Sequence, residues 1–111
     1  MDTLDTHRQV IQNVLTEYIR LQYAYGEIQN ETIFDCEADR YLVMSIGWQG
    51  VRRIHGCLIH VDIIKDKVWI QRDGTEHGIT GELVAAGIPK DRIVLGFHPP
   101  EVRQHTEYAV A

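Results

Sequence analysis

The sequence predicts an α+β domain: a four-stranded antiparallel β-meander with a long N-terminal helix and a short C-terminal helical region. Three observations carry this. Apolar residues over the first 25 positions recur with the 3.6-residue period of a helix. From Glu27 the period falls to two, that of a strand. Turn residues then divide the next stretch into four runs that can pair as successive hairpins in the order 1-2-3-4. At 111 residues the chain has room for one core, so residues 1–111 are read as a single domain.

The helix is predicted from Leu4, Ile11, Val14, Leu15, Tyr18 and Leu21, with Ala24 and Tyr25 closing the series. Asp2 or Thr3 caps its start, Asp5 suits the positive end of its dipole, and Gly26 stops it. The first strand, Glu27–Asp35, alternates loosely, with Ile28, Thr32 and Phe34 against Gln29, Glu31 and Asp35, as an edge strand with a wet face does. Cys36–Asp39 is its turn. Arg40–Trp48 alternates cleanly, Leu42, Met44, Ile46 and Trp48 on one side and Tyr41, Val43, Ser45 and Gly47 on the other, so one of its faces belongs to a core.

Gln49–Gly50 reads as a tight hairpin because glycine tolerates positive φ. Val51–Ile64 follows as a long central strand, mixed in polarity on both faces. Lys65–Asp66 turns the chain, and Lys67–Arg72 returns with Val68 and Ile70 opposite Trp69. Asp73–Gly74 is then a turn and Thr75 or Asp73 a cap for a short helix with an apolar face of Ile79, Leu83 and Ala86. Gly87 stops that helix, Ile88 packs back on Leu83, and Pro89 prevents continuation. Gly78 and Gly81 each weaken the helix by roughly 1 kcal/mol relative to alanine, which points to close approach to the sheet at both. Ile93–Phe97 is an extended segment, and Pro100 or Glu101 opens a last helix to about His105. The expected packing puts the N-terminal helix on one face and the C-terminal helix and tail near the other.

Composition narrows the function. Sixteen acidic against eleven basic residues give a net charge of −5, which disfavours tight, autonomous binding to a nucleic-acid backbone. No apolar run approaches the ~20 residues of a membrane span, and the acidic start MDTLDTHRQV is unlike a signal peptide. A cytoplasmic protein is expected. Cys36 and Cys57 lack CxxC spacing, so they are read as reduced, buried or half-buried thiols.

Candidate chemistry is sparse. Asp73, Glu76 and His77 crowd one turn, as in metal-dependent hydrolases, but capping and turn formation account for the same residues more simply. Six histidines show no HxxxH or HExxH spacing, and parity sets His55 and His60 on opposite faces of one strand. Gly74, Gly78 and Gly81 match no phosphate-binding pattern, and the single serine, Ser45, sits mid-strand. No cofactor and no catalytic residue is expected, and the protein is read as a non-enzyme. Arg52 and Arg53 beside the hairpin, Arg72 on the neighbouring strand, and Trp48 or Trp69 form a basic and aromatic patch suited to an acidic partner or a nucleic acid. The partner-binding candidates are therefore Trp48, Arg52, Arg53, Trp69, Arg72, Asp73, Glu76 and His77. The tail TEYAVA is either a docked end or half of a self-association surface, and an exposed apolar strand edge or that tail further suggests a homodimer.

Several stretches resemble one family. AYGEI at 24–28, TIFDCEADRY at 32–41, GWQGVRRIHGCLIHVDI at 47–63 and WIQRDGTEHGITGELVAAGIPKDRIVLGFHPPEVRQHTEYAVA from Trp69 onward are similar to the XisI family, the cyanobacterial fdxN-element excision controlling factors, over nearly the whole chain. Thr80–Gly81 departs mildly from that pattern. The resemblance implies an accessory role in excising a DNA element, alongside a site-specific recombinase and a nuclease-like companion of the XisH type. It supplies no catalytic residues.

Overall fold

The computed structural model describes residues 3–21 and 27–111. The expectations at Asp2, Ala24, Tyr25 and Gly26 lie outside the described residues. Helix α1 (Thr3–Leu21) buries His7, Ile11 and Leu15, four residues apart, with Val14 and Tyr18 on the same stripe. One amphipathic face therefore meets the sheet, and the predicted period is the period observed. No described helix is long and apolar enough to cross a membrane.

The sheet has five strands, not four, in the order β1 (Gln29–Asp35), β2 (Arg40–Gln49), β3 (Arg52–Ile64), β4 (Lys67–Asp73) and β5 (Ile93–Leu95). The first four form the expected antiparallel meander, and β5 adds parallel to β4. Sequence periodicity misses β5 because Ile93, Val94 and Leu95 are all buried and so show no alternation. A parallel neighbour also needs a crossover, here α2 (Thr80–Ala85), rather than a hairpin.

Local turn chemistry explains the connections. Asp35 accepts hydrogen bonds from the N–H groups of Glu37 and Ala38, both at 3.0 Å, and shapes the 36–39 turn. Cys36 lies exposed in it, contrary to the expected buried thiol, while Cys57 is half-buried. The β2–β3 hairpin closes through Gly50–Val51, one residue later than predicted, with Gln49 paired to Arg52 and Gly50 at φ +64°. Lys65 and Asp66 both take positive φ, the type I′ geometry that matches strand twist.

Helix α2 begins at Thr80, well past Thr75, with Ile79 at its N-cap and no side-chain cap, so neither Thr75 nor Asp73 caps it as expected, and Asp73 instead ties the loop that leads into it. The Asp73 carboxylate accepts the Ile79 N–H at 2.6 Å and the Thr75 N–H and hydroxyl at 3.0 and 2.5 Å. At the other end Ile88 N–H reaches Leu83 O and Gly87 N–H reaches Val84 O, both at 3.1 Å, with Gly87 at φ +117°. This is the predicted glycine stop in its Schellman form, and Ile88 and Leu83 meet in the core. Gly78 is required by φ +81°, but a side chain at Gly81 would meet open space, so close packing does not explain that glycine.

Tyr41 and Val43 of β2, Ile59 and Val61 of β3, Val68 and Ile70 of β4, and Ile93 and Leu95 of β5 share one core with Ile11, Leu15, Ile79 and Leu83. Helices α1 and α2 thus lie on the same face of the sheet. The C-terminal α3 (Pro100–Arg103) reaches the other face only at β4, where the Arg103 guanidinium stands 5.1 Å from the Trp69 ring centre. The tail docks, as one of its two expected courses had it: Tyr108 packs on the core and Ala109 N–H bonds Ile93 O at 2.8 Å, extending the free edge of β5.

Candidate functional site

Two bulges decide what the outer face of the sheet presents. The β2–β3 register shifts between Val43 and Met44, and the β3–β4 register shifts between His60 and Val61. The first bulge reverses parity within β3, so Ile59 and Val61 point inward with Val43 and Tyr41, while Cys57, His55 and Arg53 point outward with Met44, Ile46 and Trp48. His60 pairs with Leu42 on that same outer face. His55 and His60 therefore share one face, contrary to the parity reading, because an extra residue lies between them. The bulge also explains why both faces of β3 look mixed in sequence.

Across β1, β2 and β3 this outer face carries no helix among the described residues. Ile33 and Trp48 are 51% and 45% exposed, and Leu42, Met44, Ile46 and Cys57 are half-buried. The apolar row of β2 recognised in sequence is thus the solvent-facing one, and the smaller row led by Tyr41 and Val43 fills the core. Ile33, Leu42, Met44 and Ile46 were not among the predicted partner-binding residues. Their clean alternation in β2 was the available signal.

The predicted residues fall into separate places. Trp48 and Arg53 are cross-strand partners, the guanidinium 5.1 Å from the indole centre. Arg52 is exposed at the hairpin end, paired with Gln49. Arg72 lies seven residues along β3 from Arg53, opposite His60, and its Nε donates to Cys57 O at 2.7 Å. Seven strand residues span roughly 20 Å, so the arginines do not converge into one patch. Trp69 sits beside Asp62 under Arg103, and the Asp62 carboxylate meets His60 Nε2 at 2.8 Å.

Asp73 points to its own loop as described, leaving Glu76 and His77 exposed on the helix side of the molecule. There they border an open groove of about 950 Å³ with Glu17, Tyr18, Glu82 and Ile79. Burial, and then the Asp73 carboxylate, push the Tyr18 phenol up from its ordinary range. No group of three or more His, Cys, Asp or Glu side chains with metal-binding geometry occurs among the described residues. Burial raises the Cys57 thiol, opposed by Arg72, which keeps it a poor nucleophile.

The family model described as XisI protein matches residues 1–110. The chain belongs to the XisI family. Crystal structures agree with this. A XisI-like protein from Anabaena variabilis ATCC 29413 has 37% identity and a TM-score of 0.90, over 98% of this chain and 100% of that one. The fdxN element excision controlling factor XisI from the same organism has 35% identity and a TM-score of 0.85, over 99% and 100% of the two chains. No curated protein matches the chain.

Proposed function

We propose that this XisI-family chain is a non-enzymatic accessory factor in the controlled excision of a DNA element. It works in the cytoplasm by contact with proteins: a companion of the XisH type and, through it, a site-specific recombinase. The process is suggested by the relative described as an fdxN element excision controlling factor. The observation that supports action through protein contact, whichever chain sits there, is the uncovered sheet face, whose apolar centre of Ile33, Leu42, Met44, Ile46 and Trp48 is rimmed by charged residues. An apolar centre with a polar rim is the anatomy of a protein interface.

Co-expression with the companion should yield a complex that stays together through size-exclusion chromatography. Failure of the two chains to associate at micromolar concentration would remove the proposal. Direct DNA binding through Arg52, Arg53 and Arg72 is the competing reading, and their separation along β3 weighs against it. A duplex affinity that falls steeply with salt would reinstate it.

A further inference from the structure

The uncovered face also carries information about what covers it. In surface-area scaling a compact monomer of 12.8 kDa exposes about 6,300 Å². This chain exposes 7196 Å². The excess, about 900 Å², is close to the roughly 800 Å² that each partner contributes to a standard interface. The radius of gyration, 14.5 Å, likewise exceeds the about 13 Å expected for this length. An outer face with no helix over β1, β2 and β3 among the described residues contributes to both.

Charge is arranged in order in the row through the centre of the face, whereas the end row of Asp35, Arg40 and Asp62 runs acid, base, acid. Glu31 of β1, Met44 of β2 and Cys57 of β3 form one row across the strands, and the Arg72 side chain reaches the Cys57 carbonyl at the far end of that row. The row therefore runs acid, apolar, base, with β2 in the middle. A two-fold axis lying between two such faces and running along β2 exchanges the β1 side of one copy with the β3 side of the other. That operation sets Met44 against the partner's Met44 and Glu31 against the partner's Arg72, twice over. An axis across the strands through Met44 would instead set β1 on β1 and Glu31 against the partner's Glu31.

Resting on the reading of this face as a protein-contact surface, we infer that its occupant is a second copy of this chain, packed sheet on sheet about a two-fold axis along β2, with reciprocal Glu31–Arg72 pairs. This differs from a dimer made through the strand edge or the tail. It leaves Glu76, His77 and the groove beside α1 exposed on the outside of each copy.

The test is light scattering at micromolar concentration. The wild type should have twice the 12.8 kDa chain mass. Met44→Asp should be a monomer that still melts cooperatively, since Met44 does not lie in the core. Glu31→Arg alone and Arg72→Glu alone should each raise the dimer dissociation constant about ten-fold or more, because each sets like charges opposite one another. Mixing those two variants should restore a heterodimer, in which both contacts again join opposite charges. A monomeric wild type, or charge variants that associate no better mixed than apart, would overturn the inference. If the wild type is monomeric yet captures the companion, the second copy is excluded and the proposed function stands. If it is a dimer whose charge variants recover on mixing but which captures no companion, the proposed function fails and this inference stands.

Discussion

Gly47 sets where β1 begins, and its replacement by alanine should be disproportionately harmful. The strand β2 passes beneath the lead-in to β1 so closely that Trp48 N–H donates to Glu27 O at 3.3 Å. A Cβ on Gly47 would stand 1.9 Å from Glu27 O and 2.6 Å from Ile28 Cα. Both obstacles are backbone, so no rotamer change relieves them. The lead-in must move away and the Trp48–Glu27 hydrogen bond must go with it. Overpacking costs about 1–3 kcal/mol, and an immovable neighbour places Gly47→Ala at the upper end. The lost hydrogen bond adds about 1 kcal/mol, for about 3–4 kcal/mol in all. An unfolding entropy of about 2.1 cal/mol/K per residue amounts to about 0.23 kcal/mol/K for this chain, so Tm should fall by about 13–17 °C. The assay is thermal unfolding followed by circular dichroism, with Gly56→Ala as the control, because nothing lies within 4 Å of a Cβ at Gly56. The control should melt within about 3 °C of wild type. Equal shifts for the two variants, or a Gly47→Ala shift of only a few degrees, would refute the reasoning.

Two further expectations concern polar groups inside the fold. Asp73→Ala removes the acceptor for Thr75 and for the Ile79 N–H at the start of α2. It should cost about 1–3 kcal/mol in urea unfolding, while Glu76→Ala nearby should be near neutral. A neutral Asp73→Ala would return that side chain to the list of candidate functional groups. His7 is 5% exposed, and its Nδ1 has no hydrogen-bond partner. Burial, and then the nearby positive charge of Arg92, lower its folded pKa from the ordinary 6.5. The unfolded chain thus takes up the proton more readily, so this histidine's contribution is intact above about pH 6.5 and is lost as pH falls below it toward the folded value. His7→Leu should flatten the stability profile between pH 7.5 and 5.5, a window set around that ordinary value. An unchanged slope would mean that His7 does not titrate between the two states.

The local features were legible because each depends on neighbours in sequence. The period of α1 follows from where Ile11, Leu15 and Tyr18 fall on a helix, the Lys65–Asp66 hairpin from residues placed for a two-residue loop, and the end of α2 from Gly87 followed by Ile88. The XisI likeness also rested on contiguous runs of residues, and the family comparison agrees with it. The candidate site was legible only in pieces. Trp48 and Arg53 do meet, but Arg72 lies far along β3, and Asp73 serves its own loop.

By itself, then, the sequence determined the α+β class, the order of the meander, its Lys65–Asp66 turn and the family. Tertiary structure alone decided that β5 joins in parallel, that a bulge turns His55 and His60 to one face, and that α1 and α2 share a side of the sheet and leave Leu42, Met44 and Ile46 bare. The physical reason is common to all three. Strand register and the choice of which face to cover are agreements between segments distant in the chain. They are settled by the total area buried, and no single segment records them in its own pattern.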